Sequence, residues 1–188
     1  KSGLLWPSVN LAVWSGDCPE TEDCVVAIGN ASYVKGTMET IDMLVGTGLT
    51  YHHVGGGSPE DLKAMEAYAK KNNVSLIVQP RLSQEDLVNL VKRSLAVVSL
   101  AHGEPFGLTP IEAQAAGTPA LMVDEGGYKH TVEDGVSGRL LPRGNWDAWH
   151  TALEQARDAE TRKAWSDAGR ENIAKIGLRP KDQADTLN

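Results

Sequence analysis

Aromatic residues, cysteines and long apolar runs are all scarce in this 188-residue chain, whose single phenylalanine is Phe106. No apolar run approaches the roughly 20 residues that a membrane helix needs, so the sequence predicts no transmembrane segment. Residues 1–7 have neither a long apolar core nor a cleavage site, which excludes a signal peptide there. An initiator Met is missing too, and we expect the chain to be a piece of a longer protein.

Cysteine and positive charge are also in short supply. Cys18 and Cys24 cannot complete a tetrahedral zinc site alone, and we expect free thiols in a reducing compartment, with a local disulfide as the alternative. The 18 basic residues face 25 acidic ones, for a net charge of −7. Nucleic-acid-binding surfaces rely on excess Lys and Arg, so we predict no nucleic-acid partner. A phosphate-bearing ligand must then be neutralised locally.

Several motifs that carry known chemistry are missing. Without Gly-x-Ser-x-Gly an α/β-hydrolase is disfavoured. The absence of Gly-x-x-x-x-Gly-Lys-Ser/Thr and Gly-x-Gly-x-x-Gly weakens nucleoside-triphosphatase and dehydrogenase interpretations. There is no Asp-x-Asp pair to hold Mg²⁺ beside a diphosphate and no His-Cys-Asp cluster with metal spacing, so the sequence predicts no metal site.

Short apolar runs alternate with amphipathic segments along the chain, which predicts a parallel sheet covered by helices on both faces. The predicted strands are 24–28, 49–54, 74–78, 95–100, 118–123 and 138–141. The predicted helices are 36–45, 58–71, 83–93, 110–116, 146–157 and 160–176. The expected fold class is therefore α/β, a single domain with a doubly wound parallel sheet and C-terminal helices. Residues 1–22 are interpreted as an incoming linker.

Glycine-bearing loops follow most of the predicted strands. Right-handed crossovers place the C-terminal ends of parallel strands on one edge, where doubly wound sheets bind ligands. After Gly29, the first loop delivers Lys35, which either reaches a phosphate as a point charge or is a solvated loop lysine. Arg81 ends the third strand and can contact a phosphate, a base or neither.

The stretch from Glu104 to Glu112 is the most informative part of the sequence. It follows a buried strand, turns at Gly107 and enters a helix. The backbone N–H groups of Phe106, Gly107 and Leu108, together with the positive end of the helix dipole, suit a diphosphate.

One of the two glutamates has a structural interpretation as an alternative to ligand binding. Thr109 can cap the helix, with Pro110 at its first position and Glu112 bonding back to Thr109 in a capping box. Glu104 has no comparable structural role. Its carboxylate stands at the strand end, where it can accept hydrogen bonds from sugar hydroxyls.

These residues also carry a family resemblance. The run 102–119 resembles the Glu-x7-Glu signature of family-4 retaining glycosyltransferases. Residues 124–127 and 132–138 look like the next segment of that family, and 35–36 and 54–57 fall in its order and spacing. Nearly the whole chain is covered.

The resemblance implies a C-terminal, donor-binding Rossmann-like domain at 23–188, with 1–22 as the linker from a missing N-terminal acceptor domain of the same parent chain. The implied reaction moves a hexose from a UDP- or GDP-sugar to a hydroxyl of a glycan, lipid or small molecule. It retains the anomeric configuration and uses neither a metal nor another cofactor. A cytoplasmic location is expected, and the missing domain would supply any peripheral membrane contact. We expect the domain alone to be weakly active.

Residue roles follow from the same resemblance. Glu104 would hold hydroxyls of the donor sugar, Glu112 would hold the ribose, and Lys35 would neutralise the diphosphate. The remaining implied donor contacts are the loop amides of Phe106, Gly107 and Leu108, the phosphate neighbour Thr109, the base neighbours Arg81 and Leu82, and the strand end at Gly29 and Asn30.

Two positions depart from the family pattern. The family usually carries Arg directly after Gly29, where this chain has Asn30. One cation facing the diphosphate is therefore lost, at a cost of about 1.5–3 kcal/mol for a charge-assisted contact, unless Arg81 compensates. His130 stands where Glu is common, which either alters the acceptor or sugar accommodated or has no effect.

Two other functions stay open at the level of the sequence. A non-catalytic nucleotide-sugar-binding module is favoured by the missing domain and by Asn30, and disfavoured by the intact pair Glu104 and Glu112. A sugar-nucleotide epimerase of similar architecture would need its own catalytic carboxylate and His pattern, which the sequence does not offer.

Overall fold

The computed structural model describes residues 11–14, 16 and 19–176. Six strands are present: β1 (Glu22–Ile28), β2 (Thr50–Val54), β3 (Ser75–Gln79), β4 (Ser94–Ser99), β5 (Ala120–Val123) and β6 (Arg139–Leu141). The helices are α1 (Thr37–Leu44), α2 (Pro59–Lys71), α3 (Gln84–Arg93), α4 (Leu108–Ala116), α5 (Tyr128–Thr131), α6 (Trp146–Arg157) and α7 (Ala159–Lys175). A short 3₁₀ turn, Leu11–Val13, precedes β1.

The six strands form one parallel sheet in the order β3-β2-β1-β4-β5-β6. This order confirms the predicted doubly wound α/β fold. The chain lays β2 and β3 on one side of β1 and then crosses to β4 on the other side. The crevice between β1 and β4 is the point where such sheets bind ligands.

The core lies on both faces of this sheet. All four residues of β5 and the first five of β4 are buried, as expected for near-continuous apolar strands. Trp14 is 2% exposed and packs into the same core. In the part of the chain that the structure describes, no helix is both long and apolar enough to cross a membrane.

Cys24 is a buried free thiol that donates to Ser94 Oγ at 3.4 Å, and burial raises its pKa. The structure confirms a free thiol at this position. Cys18 lies outside the described residues, so its state stays a prediction.

Two helices begin at serine caps. Ser58 accepts a hydrogen bond from the Asp61 N–H at the start of α2, and Pro59 occupies the first helical position. Ser83 accepts from the Asp86 N–H at the start of α3 in the same way.

The start of α4 corrects the expectation. The helix begins at Leu108, two residues before Pro110, and its N-cap is Gly107 at φ 69°, with no side-chain cap bond. The capping-box interpretation of Thr109 and Glu112 is therefore wrong. Left-handed Gly107 turns the chain into the helix early, and Pro110 is tolerated because N–H groups in a first turn lack helical partners. The sequence also missed α5, whose four residues are too few for a periodic pattern.

Candidate functional site

The loop between β1 and α1 carries Lys35 to the carboxyl edge of the sheet. The Ala31 N–H donates to the Gly56 carbonyl at 2.8 Å, which holds the loop against the one after β2. The Ser32 N–H donates to Thr37 Oγ1 at 3.1 Å, and the Lys35 N–H donates to Ser32 Oγ at 3.3 Å. These bonds fold the loop into a compact turn.

Gly36 closes this turn and must be glycine for two reasons. Its φ is 65°, a left-handed conformation that L residues avoid. A Cβ there would lie 2.2 Å from the carbonyl oxygen of Leu100, at the end of β4. Because Gly36 lacks a side chain, the loops after the two central strands can touch.

This contact brings the two leading sequence candidates together. Lys35 Nζ lies 3.0 Å from Glu104 Oε2, and the side chains are 41% and 20% exposed. An exposed ion pair contributes only about 0–1 kcal/mol. A ligand that offers Lys35 a phosphate can therefore displace Glu104 at little cost.

A small cavity of about 20 Å³, enough for roughly one water molecule, lies beside this ion pair. Thr109 lines it, as do the hydroxyl-bearing residues Thr37, Ser99 and Tyr128. The Tyr128 hydroxyl lies 2.6 Å from Ser99 Oγ, and burial raises its pKa to about 12, so it stays neutral. No motif pointed to Tyr128, because it belongs to the unpredicted helix α5.

A larger open cleft of about 590 Å³ lies on the other side of Gly29. Its volume falls within the usual range for small-molecule sites. Its lining residues come from the segment before β1, the ends of β1 and β2, the segment from Arg81 into α3, and α4: Trp14, Ile28, Gly29, Asn30, Val54, Gly55, Arg81, Leu82, Gln84, Leu87 and Glu112.

The two cavities share Ile28 and Gly29 and so adjoin at the end of β1. The structure divides the sequence candidates between them. Lys35, Glu104 and Thr109 line the small cavity, whereas the large cleft takes Asn30, Arg81, Leu82 and Glu112. The two glutamates of the signature thus face different compartments.

Glu112 is half-buried in the large cleft, in the second turn of α4. Burial raises its pKa to about 7. Its carboxylate makes no hydrogen bond or ion pair within the described part of the chain, because the capping box that would have engaged it does not form. Glu112 therefore points a weakly solvated acceptor at any hydroxyl-bearing ligand in the cleft.

The loop between Glu104 and α4 is shaped by close backbone packing. The Gly127 N–H donates to the Glu104 carbonyl at 2.7 Å, and a Cβ on Gly126 would lie 2.5 Å from that same oxygen. Gly107 packs against Tyr128, and Phe106 is 41% exposed. The expected loop amides of 106–108 line neither cavity, although the first N–H groups of α4 have no intrahelical acceptor.

His53, at the end of β2, holds the glycine loop that follows. Its Nε2 lies 3.0 Å from the Gly56 carbonyl, which can only accept, so Nε2 carries the proton. Nδ1 then accepts from the Tyr51 hydroxyl at 3.2 Å. Burial lowers the His53 pKa, which favours this neutral state. The same Gly56 oxygen accepts a hydrogen bond from the Ala31 N–H, so His53 helps to hold the Lys35 loop in place.

The remaining features of the site are its capacity to bind a metal and the two positions that depart from the family pattern, Asn30 and His130. Among the described residues, no group of three or more His, Cys, Asp or Glu side chains is arranged to hold a metal ion, and the metal-free reaction stays a prediction. Asn30 is exposed at the rim of the large cleft. His130 is exposed in α5 and lines neither cavity.

Comparison with curated proteins finds partial relatives. D-inositol 3-phosphate glycosyltransferase of Saccharomonospora viridis is 34% identical over 122 residues, which are 64% of this chain and 28% of that protein. The protein of the same name from Frankia alni is 40% identical over 98 residues, which are 50% of this chain and 24% of that protein. The matched stretches thus span about a quarter of these relatives' lengths.

Comparison with solved structures and with family models covers more of the chain. The C-terminal domain of the group 1 glycosyltransferase LpcC from Francisella tularensis superposes with a TM-score of 0.74 at 18% identity, over 89% of this chain and 97% of that one. HepE from Anabaena, solved with UDP-glucose, gives a TM-score of 0.76 at 21% identity, over 88% and 48%. These likenesses establish a shared fold. The family model described as glycosyl transferases group 1 matches residues 13–172, so the chain belongs to that family.

Proposed function

We propose that this chain is the donor-binding half of a retaining glycosyltransferase, which moves a hexose from a nucleotide-diphosphate sugar to an acceptor hydroxyl. One observation carries the proposal: an exchangeable ion pair and an open cleft adjoin at Gly29. Lys35 and Glu104 lie on one side, and Glu112 and Arg81 lie on the other. A nucleotide-diphosphate sugar is long enough to reach from the cleft to this ion pair.

The large cleft and the sheet edge beside Glu104 suit different parts of such a donor. The cleft of about 590 Å³ offers Leu82 and Trp14 as apolar walls for a base and the Glu112 carboxylate for ribose hydroxyls. The diphosphate would then pass Gly29, where the missing side chain permits close approach. Beyond it, the sugar would meet Glu104.

Catalysis in this proposal is electrostatic. Negative charge grows on the diphosphate as the glycosidic bond breaks, and Lys35 exchanges its Glu104 partner for a phosphate oxygen. The start of α4 adds roughly half a positive charge nearby. The N–H groups at that helix start are fixed in place before the reaction, so they stabilise such a leaving group without reorganisation. The freed Glu104 carboxylate then accepts hydrogen bonds from sugar hydroxyls.

The proposal also assigns the acceptor to the other domain of the parent chain. The N-terminal domain of the parent chain would bind a glycan, lipid or small-molecule hydroxyl and present it to the same face from which the diphosphate departs. Residues 1–22 would link the two domains, and we place the whole protein in the cytoplasm. HepE was solved with UDP-glucose, which makes that compound the first donor to test.

The direct test is a transfer and hydrolysis assay on the full-length protein with a panel of UDP- and GDP-sugars. We expect one donor to be consumed, with retention of anomeric configuration, and Glu104→Gln to abolish consumption. Binding of a donor without turnover would favour a binding module instead. Conversion of the sugar while it stays attached to the nucleotide would favour an epimerase.

A further inference from the structure

Arg143, just after β6, makes a set of contacts that the proposed donor site does not include. Its Nε and Nη2 donate to the two carboxylate oxygens of Glu125 at 2.8 and 2.9 Å, a bidentate pair. Its Nη1 donates to Glu39 Oε2 at 2.7 Å and to the Leu100 carbonyl at 2.9 Å. One guanidinium thus joins α1, the segment after β4 and the loop after β5 to the segment after β6.

The charged side chains that make these contacts are partly exposed. The side chains of Arg143, Glu39 and Glu125 are 20%, 27% and 39% exposed. The hydrogen bond with Arg143 lowers the Glu125 pKa, and the same bond raises the Arg143 pKa. His102 joins the cluster with Nε2 2.8 Å from Glu39 Oε2. We call Arg143, Glu39, Glu125 and His102 the arginine clamp.

The clamp reaches both partners of the Lys35–Glu104 ion pair through short stretches of chain. Glu39 lies four residues after Lys35, in the first turn of α1. Leu100 lies four residues before Glu104 on the other loop. Glu125 lies two residues before Gly127, whose N–H donates to the Glu104 carbonyl. The guanidinium therefore fixes the helix that follows the Lys35 loop and the start of the loop that carries Glu104.

We propose that Arg143 is a positioning residue that sets the placement of Glu104 relative to Lys35, and thereby the hold on the donor sugar. The role of the sugar here rests on the proposed function. Arg143 touches neither cavity and acts through Glu39, Glu125 and the Leu100 carbonyl. A lysine ammonium cannot form the planar, bidentate hydrogen bonds of the guanidinium. Arg143→Lys therefore removes these hydrogen bonds while keeping the positive charge.

Arg139 provides a matched control on the same segment. Its side chain is 24% exposed, and it donates to Asp134 at 2.8 Å and to Gln155 at 2.6 Å, away from both cavities. Arg139→Lys therefore makes the same chemical change at a similar burial without touching the clamp. Thermal unfolding of both variants verifies that each still folds.

Hydrogen exchange on the ligand-free chain tests the positioning itself. We expect Arg143→Lys to speed exchange at the Gly127 amide by about tenfold, because the loop opens more often once the clamp is gone. Arg139→Lys should leave that amide unchanged. Unchanged exchange at Gly127 in Arg143→Lys overturns the proposal, whatever the ligand.

Titration with UDP and UDP-glucose tests the consequence. We expect Arg143→Lys to lower the affinity ratio of UDP-glucose to UDP by about fivefold, because the sugar contact fails while the nucleotide contacts stay. A merely structural role would weaken both ligands equally, and that result overturns the proposal. A wild-type chain that binds neither probe counts against the proposed function instead, and the exchange experiment then still decides the role of Arg143.

Discussion

Lys35 and Glu104 are 69 residues apart in sequence, yet Lys35 Nζ lies 3.0 Å from Glu104 Oε2 across the crevice between β1 and β4. In the proposed function, a phosphate oxygen of the donor takes the place of this carboxylate beside the lysine. Because the Lys35 side chain is 41% exposed and such a pair contributes only about 0–1 kcal/mol, we expect a bound anion to displace Glu104 from Lys35.

Asn30→Arg should restore the cation that the family pattern places beside the diphosphate. Asn30 is exposed at the rim of the large cleft, so a longer side chain fits without displacing the core. We expect UDP affinity to rise about tenfold and to become more sensitive to salt. Calorimetry at two salt concentrations measures both effects. Asn89→Arg, an exposed change on α3, is the charge-matched control; equal gains in the two variants would contradict a local diphosphate site.

Gly36→Ala should destabilise the domain far more than Gly46→Ala. Both glycines have positive φ, 65° and 79°, which costs an L residue about 1–2 kcal/mol. A Cβ on Gly46 meets nothing within 4 Å, whereas one on Gly36 would lie 2.2 Å from the Leu100 oxygen. We expect Gly36→Ala to lower the free energy of unfolding by at least about 3 kcal/mol in urea denaturation. Similar losses in both variants would show that the two loops are not packed as described.

Glu112 should make the stability of the domain depend on pH. Its folded pKa of about 7 lies above the ordinary value of 4.5, so the folded state favours the neutral carboxyl. The wild type therefore loses stability relative to Glu112→Gln as pH rises from about 4.5 to about 7, by up to about 3 kcal/mol. Urea denaturation at pH 5, 6, 7 and 8 measures the difference.

Glu66→Gln is the control for that series, since Glu66 is exposed on α2. A pH-dependent difference found for Glu112→Gln but not for Glu66→Gln assigns the effect to the burial of Glu112. A constant difference for Glu112→Gln as well would mean that Glu112 is hydrated in solution and does not lie in the weakly solvated position described here.

The sequence predicted the sheet and its long helices because their signals are local. Apolar runs marked every strand to within about two residues, and the predicted helices 58–71 and 83–93 begin at the serines that cap α2 and α3. The start of α4 was harder, because Thr109-Pro110 offers a good cap and only the backbone conformation of Gly107 decides against it. No local pattern distinguishes those two starts.

The residues of the site were likewise predictable only where their signals are local in the sequence. Glycines, a loop lysine and paired glutamates follow the predicted strands of this sequence, and the structure brings Lys35 and Glu104 into contact. Arg143 and His53 could not be predicted in the same way. Their roles depend on carbonyls and carboxylates that only the folded chain brings near, such as those of Leu100 and Gly56.

The most direct test of the account is a calorimetric titration of UDP into the wild type, Lys35→Ala and Glu104→Gln. Lys35→Ala loses the phosphate contact and leaves Glu104 unpaired beside it, so we predict at least about tenfold weaker binding. Glu104→Gln frees Lys35 and removes a negative charge, so it should bind UDP at least as tightly as the wild type while losing the preference for UDP-glucose over UDP. Equal UDP affinities in all three proteins would contradict the claim that this ion pair marks the diphosphate site.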